Sequence, residues 1–242
     1  MSQLNNHKSP NCKDYKLTHA LQIIIFITPF FLVAIFAYFL YYTDYSTFYN
    51  VMRKENHPVE LITFIFLLAG SVIGFILSYK LTKSGNILVS VFYFIFALGL
   101  FFVAMEEVSW GQWIFKFHTP DYMRGLNRQT EFNVHNIESV NLTFEILRVA
   151  FGLGGLVSIF LLKFKSFKFL SSPLSLISWF VIILLFASLD LYNRFDTSQL
   201  ALYRGNIFWF TMKFTEFLEM LISVCAFLFI LLNQIKFSQT KL

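Results

Sequence analysis

Acidic side chains that lie within or directly beside long apolar runs are the feature of this sequence that points to chemistry. The motif Glu-Glu-Val-Ser-Trp-Gly-Gln begins at Glu106, where one apolar run ends, and Glu216 and Glu219 lie inside another run. A carboxylate is costly to place in a lipid hydrocarbon core, so ionisable residues in such runs are usually functional. The sequence therefore predicts a polar site built from acidic and histidine side chains.

A second polar segment follows the first motif and supplies a carboxylate and an imidazole. Polar residues occupy every second position from Asn127 to His135, so an extended chain would place them on one face. A helix would still bring Glu131 and His135 together, since they are four residues apart. Such a pair can remove a proton from water or from a substrate hydroxyl. The candidate catalytic residues are Glu106, Glu107, Ser109, Glu131 and His135.

In this prediction Glu107 or Glu131 is the general base, and His135 is a metal ligand or a proton shuttle. Ser109 is a further candidate as a covalent nucleophile, although the sequence has no Gly-x-Ser-x-Gly turn to support that role. The alternative is that the segment is a hydrated loop whose polar side chains satisfy one another. The supporting residues are expected to be Trp110, Gln112, Gln129, Asn133, Asn136, Arg148 and Lys213.

Carboxylates outnumber basic side chains around these runs, which makes a divalent metal ion a candidate cofactor. Buried carboxylates in excess must be protonated, hydrated or bound to a metal. Oxygen and imidazole ligands suit Mg²⁺, Mn²⁺, Ca²⁺ or Zn²⁺. The alternative is a set of internal ion pairs, such as Lys213–Glu216 and Arg148–Glu145, that hold helices in register. The candidate metal ligands are His135, Asp190, Glu216 and Glu219.

The elements that must position these residues are membrane-spanning helices. The chain has 242 residues, of which 57% are hydrophobic and 14% are charged, whereas soluble domains carry about 25% charged residues. Six apolar runs approach or exceed the roughly 20 residues that cross a bilayer. They are 20–42, 59–79, 86–105, 145–163, 171–190 and 208–232. We expect an all-α integral membrane protein with about six transmembrane helices and an interfacial or re-entrant segment between spans three and four.

The placement of lysines predicts how the single domain, 20–232, is oriented. Lysines are concentrated in the tail 1–19, the turns 80–85 and 163–168, and the tail 233–242. Cytoplasmic loops carry an excess of basic residues, so both tails are predicted to be cytoplasmic. The same pattern explains the formal net charge of +5 without a nucleic-acid partner. The expected partners are the lipid bilayer and a lipid or lipid-linked substrate.

The two polar segments resemble a group of bacterial multi-pass membrane proteins of uncharacterised function. These proteins combine Glu-Glu-x-Ser-Trp-Gly-Gln with Asn-x-Gln-x-Glu-x-Asn-x-His-Asn and an acidic final span. The likeness covers 106–136 and, loosely, 213–221. It implies that the residues of both motifs act together in the bacterial inner membrane, and it implies no particular activity.

A weaker likeness is to the Glu-Glu intramembrane proteases that process prenylated proteins. This sequence lacks the arginine that follows their glutamate pair, and it lacks their paired downstream histidine motifs. We therefore do not assign it to that family.

Three classes of function remain open from the sequence. The first is an intramembrane hydrolase or transferase that uses a metal or a Glu–His pair on lipid or membrane-anchored substrates. The second is a proton- or cation-coupled transporter with Glu216 and Glu219 as carriers, for which a homodimer would double the number of spans. The third is a non-catalytic envelope assembly factor that binds a partner through its outer segment.

Overall fold

The computed structural model describes residues 15, 17–52, 57–127, 132–134, 137–164, 167–195 and 205–240. None of these residues belongs to a β-strand, and six helices are long and apolar enough to cross a membrane. The protein is therefore a multi-pass integral membrane protein of the all-α class, as the apolar runs predict. The helices are α1 (His19–Tyr42), α2 (Tyr45–Met52), α3 (Pro58–Lys83), α4 (Ile87–Glu107), α5 (Gln112–Phe115), α6 (Asp121–Arg124), α7 (Glu138–Phe160), α8 (Ile177–Phe195) and α9 (Gly205–Thr240).

The membrane-spanning helices are α1, α3, α4, α7, α8 and α9. The edges of α1, α3 and α4 lie within about four residues of the predicted runs. Helix α7 begins seven residues earlier than predicted, α8 is displaced by five or six residues toward the C-terminus, and α9 is longer at both ends. Helix α9 has 36 residues and is about 54 Å long, well beyond the roughly 30 Å of a hydrocarbon core. It continues to Thr240 through most of the segment predicted as the C-terminal tail.

Contacts at one end of the molecule join both predicted tails to the helices. The Tyr15 hydroxyl donates a hydrogen bond to the Ser171 carbonyl oxygen at 2.9 Å. The buried Lys236 ammonium donates to the Lys168 carbonyl oxygen at 2.6 Å and to Ser171 Oγ at 3.1 Å. This lysine, which the sequence places in a tail, is thus part of the packed structure.

Close helix packing divides the spans into two groups. Helix α3 packs along α4 and α9, while α7 packs along α8, and α8 also contacts α9. A Cβ added at Gly74 would lie 2.9 Å from Ala97 Cβ, and one at Gly152 would lie 2.9 Å from Leu184 Cβ. These glycines therefore allow the helix backbones to approach closely. Over their described residues, α4 and α7 do not pack along each other, which leaves space between the two groups.

Candidate functional site

The chain reverses direction directly after α4, through the first polar motif. Ser109, Trp110 and Gly111 have φ values of +45°, +54° and +83°. Left-handed φ values are uncommon for residues other than glycine, and each such residue costs on the order of 1–3 kcal/mol. The Trp110 indole N–H donates to Glu106 Oε1 at 2.5 Å, which holds the turn against the last turn of α4. Glu106 thus helps to stabilise a strained backbone.

The second polar motif folds back onto the first. The backbone N–H of Val134 donates to Glu106 Oε2 at 2.5 Å, so both oxygens of this carboxylate accept hydrogen bonds. Asn133 Nδ2 donates to Ser109 Oγ at 3.2 Å. Asn127 Nδ2 donates to the carbonyl and the side-chain oxygen of Asn133, at 2.8 and 2.7 Å. The described parts of the two motifs are therefore in direct contact.

Gln112 joins the same two segments. Its amide nitrogen donates to Thr119 Oγ1 at 2.8 Å, and its Oε1 accepts from the Phe132 backbone N–H at 2.7 Å. Helix α6 begins at Asp121, directly after Pro120, and has no side-chain cap. These contacts indicate that Gln112 positions the two segments. The contacts described above indicate the same role for Glu106, Ser109, Trp110 and Asn133.

Glu107 differs from its neighbour Glu106. Both side chains are buried, with 1% of Glu106 and 7% of Glu107 exposed. Among the described residues, however, Glu107 has no hydrogen-bond or ion-pair partner, and it lines a cavity of about 400 Å³. Glu219, Glu216 and Glu60 repel a negative charge on Glu107, and Arg148 attracts it. A buried acid in this setting is available to a ligand.

The cavity lies between α3, α4, α7 and α9. Its polar lining comes from the C-terminal end of α4 and from charged side chains that α7 and α9 contribute near the same end of the bundle. The rest of its wall is apolar and includes Leu100, Val103 and Phe151. A pocket of this size with a few polar groups at one place is typical of small-molecule sites. Its polar lining residues are Thr63, Glu106, Glu107, Arg148 and Glu219.

Arg148 is the central basic residue of the site. Its guanidinium forms ion pairs with Asp190, at 3.1 Å, and with Glu219. The pairing of Arg148 with Glu145 that the sequence suggested is wrong. Glu145 instead accepts two hydrogen bonds from Arg194, at 2.5 and 2.6 Å. Five charged groups from α7, α8 and α9 are therefore arranged in two separate ion-paired sets.

Arg194 is the residue that sequence reasoning missed. It follows Asp190 by four residues, so both lie on one face of α8 and both can reach charged residues of α7. This spacing was a usable signal. The apolar runs alone do not point to Arg194, because it lies just beyond the predicted span 171–190, where a basic side chain can reach water.

The predicted metal ligands are only partly described. No three acidic, histidine or cysteine side chains among the described residues are grouped so that they could hold a metal ion. Asp190 and Glu219 are paired with Arg148, while Glu216 and Lys213 are half-buried in α9. The remaining predicted site residues lie outside the described residues, and they are Gln129, Glu131, His135 and Asn136.

The fold and the cavity together define the class: a multi-pass α-helical membrane protein with a charged site at one end of its bundle. Comparisons with protein families, curated proteins and solved structures found no match for this chain.

Proposed function

We propose that this protein is an intramembrane hydrolase or transferase that acts on lipid or membrane-anchored substrates, with Glu107 as the general base. The observation that carries the proposal is the state of Glu107. It is buried, it lines an otherwise largely apolar cavity, and it has no partner among the described residues. Buried carboxylates are normally paired, so one that faces a cavity without a partner is suited to bind and deprotonate a ligand.

The chemistry is a proton transfer from water or from a substrate hydroxyl. Glu107 accepts this proton while the oxygen attacks the substrate, and it returns the proton to the leaving group. The base must come within about 2.6–3.2 Å of the oxygen that it deprotonates. The cavity admits such a molecule beside the carboxylate.

Arg148 is suited to stabilise the negative charge that develops on the substrate. A guanidinium has five N–H donors, and the ion pairs engage only its two terminal nitrogens. Asp190 and Glu219 hold it at the cavity wall, which fixes its orientation before the substrate binds. Preorganised donors of this kind are usually the largest contribution to catalysis of group transfer.

The metal-dependent form of the proposal depends on Glu131 and His135, which lie outside the described residues. It requires that they join Glu107 or Glu216 around a divalent ion. If it is correct, purified protein contains a metal close to stoichiometrically, and His135→Ala removes it. Metal content that is unchanged by His135→Ala would contradict the metal-dependent form. The form in which Glu107 acts as the base without a metal would then remain.

The test is to compare membranes that contain the wild-type protein with membranes that contain Glu107→Gln. We expect a lipid or membrane-anchored product, found by mass spectrometry of the whole membrane, with the wild-type protein alone. The matched control is Asp121→Asn, because Asp121 is an exposed acid in a surface ion pair with Arg124. Equal products from Glu107→Gln and wild type would contradict the proposal.

The second candidate is a proton-coupled transporter, and the group of acids around Arg148 favours it. Glu216 and Glu219 both act electrostatically on Glu107 and on Arg148, so movement of a proton at one site would change the others. Proton flux in sealed vesicles tests this. A flux that Glu219→Gln abolishes, without any altered lipid or peptide, would replace the enzymatic proposal.

A further inference from the structure

A second cavity extends the first along the space between α4 and α7. It measures about 350 Å³ and is lined by side chains from α4, α7, α8 and α9. The two cavities share Phe96, Ala150 and Phe151 in their walls, so they adjoin each other, and the pair of cavities is called the groove. On α4 the groove runs from Phe92 to Glu107, which is about 22 Å along the helix axis.

The groove is apolar along its length and polar at one end. The second cavity has only Ser158 as a polar side chain, and its hydroxyl donates to the Gly155 carbonyl oxygen. The edges of the groove are exposed apolar residues, among them Ile95, Leu147 and Val157, which face the surroundings of the helix bundle. In a membrane those surroundings are lipid chains, so the groove is accessible from within the bilayer.

Two glycines keep the groove open. Gly99 lines the first cavity and Gly154 the second, and a Cβ added at either would meet no atom within 4 Å. Gly155, by contrast, packs against α8, and a Cβ added there would lie 2.0 Å from the Phe180 ring. Gly99 and Gly154 are exposed and line the cavities, so a larger side chain at either position would lie at the open side of the groove and narrow it.

We propose that this groove binds one hydrocarbon chain of a lipid substrate, whose hydrogen-bond-donating headgroup lies against Glu107. The identity of this lipid as the substrate rests on the function proposed above. Its chemistry follows from the two ends of the groove. Apolar walls about 22 Å long suit a hydrocarbon chain, since half of a bilayer core is about 15 Å thick. A carboxylate with no partner among the described residues suits an ammonium or hydroxyl group that can donate to it.

A helix of another protein fits this groove less well. It would cover the apolar edges, but an apolar helix would leave the Glu107 carboxylate buried without a donor, which is costly. A lipid with a donating headgroup satisfies both the apolar walls and the carboxylate.

The experiment uses the purified full chain in phosphatidylcholine vesicles. A small fraction of the lipid is phosphatidylethanolamine that carries a photoactivatable diazirine in one acyl chain. After illumination, labelled peptides are identified by mass spectrometry. We expect labels on α4 and α7 residues that line the groove, and about tenfold less labelling there in Gly99→Leu and in Gly154→Leu, a ratio that corresponds to about 1.4 kcal/mol.

The matched control is Ala34→Leu, since Ala34 is exposed on α1 and lines neither cavity. It should leave the labelling unchanged, and thermal unfolding should show that all three variants are folded. Labelling of the groove that persists in both glycine variants, or that is no stronger than on the exposed face of α1, would overturn the proposal.

A second arm tests the headgroup. The same photoreactive chain is placed on phosphatidylcholine, whose methylated ammonium cannot donate a hydrogen bond. We expect the wild-type protein to prefer the phosphatidylethanolamine probe, and Glu107→Gln to lose most of that preference, because a hydrogen bond to a charged group is stronger than one to a neutral group. Equal labelling by both probes in the wild type would overturn the headgroup assignment.

The two proposals fail in different ways. Groove labelling that responds to the glycine variants, without a membrane product that depends on Glu107, would contradict the enzymatic function and keep the lipid site. A product that depends on Glu107, without groove labelling, would support the enzymatic function and contradict the lipid site.

Discussion

Glu106 and Glu107 are adjacent carboxylates with different surroundings. Successive residues on a helix point about 100° apart. Both glutamates line the cavity, but the two oxygens of Glu106 are engaged by Trp110 and by the folded-back motif. Glu106 accepts hydrogen bonds through both oxygens, whereas Glu107 accepts none from the described residues. The first is therefore a structural acid and the second a candidate for chemistry.

This difference predicts opposite effects on stability. In Glu106→Gln the amide nitrogen must face one of the two donors, Trp110 Nε1 or the Val134 N–H, so one hydrogen bond is lost and a donor is left unsatisfied. We expect a loss of about 1–3 kcal/mol in the free energy of unfolding. Glu107→Gln should change it by less than about 1 kcal/mol, because no hydrogen bond is removed.

Unfolding of both variants in detergent micelles, followed by circular dichroism against denaturant, measures the difference. Glu106→Ala provides the comparison in which both hydrogen bonds are absent. If Glu107→Gln were as destabilising as Glu106→Gln, Glu107 would have a structural role that these contacts do not indicate.

The Arg148 ion pairs predict a large stability effect. Arg148→Met leaves the partly buried carboxylates of Asp190 and Glu219 without their cation. The removal of one partner from a fully buried ion pair costs about 3–5 kcal/mol, so we expect a loss near the lower end of that range. The triple variant Arg148→Met, Asp190→Asn, Glu219→Gln should recover most of this loss, since it leaves no charge. Denaturant unfolding measures both, and Arg124→Met is the control.

That control should have little effect, because Arg124 and Asp121 form an exposed pair and exposed pairs contribute about 0–1 kcal/mol. A single Arg148→Met variant as stable as the wild type would mean that Asp190 and Glu219 are accommodated without their cation.

At the scale of the helices, closely spaced glycines serve different purposes. Gly152 contacts Leu184 where α7 crosses α8, and Gly154, two residues later, faces the groove. Residues two apart on a helix point about 160° apart, so one glycine permits packing and the other leaves space.

Alanine substitutions should separate these two roles. A Cβ at Gly152 would lie 2.9 Å from Leu184 Cβ and 3.0 Å from its backbone, so Gly152→Ala forces α7 and α8 apart at a cost of about 1–3 kcal/mol. Gly154→Ala has room for its methyl group and should be neutral or stabilising by up to about 1 kcal/mol. Thermal unfolding of the two variants tests this pair, and equal destabilisation would contradict the assigned packing.

The sequence predicted the six membrane-spanning helices, but it did not predict which charged side chains pair between them. Six spans follow from apolar runs, because a bilayer imposes length and composition on each helix separately. The choice between Glu145 and Asp190 as the partner of Arg148 depends on the rotation of α7 against α8 and α9, which no local pattern encodes. The left-handed turn at Ser109 and Trp110 is held by a local contact with Glu106 and also by contacts with residues more than twenty positions away, which a local pattern does not reveal. The chemistry expected of Glu131 and His135 stays a prediction.

At the scale of the whole molecule, the two ends of the bundle carry different charges and different contacts. One end holds the Tyr15, Ser171 and Lys236 cluster, next to turns rich in lysine. The other holds the acids of the cavity and the segment folded over α4. The groove between α4 and α7 leads from the acidic end toward the basic end, so the orientation of the protein decides from which leaflet a lipid would reach Glu107.

The lysine pattern predicts that the acidic end faces outward, and this can be tested with single cysteines. After Cys12 and Cys225 are replaced by serine, Gly125→Cys lies in an exposed turn at the acidic end, and Asn86→Cys lies in the exposed α3–α4 turn at the other end. A membrane-impermeant maleimide should label position 125 in intact cells and position 86 only after the membrane is permeabilised, because basic loops stay cytoplasmic. The reverse pattern would place the cavity at the cytoplasmic leaflet. The base, the guanidinium and the groove would then act on inner-leaflet lipids, with the same side chains in the same roles.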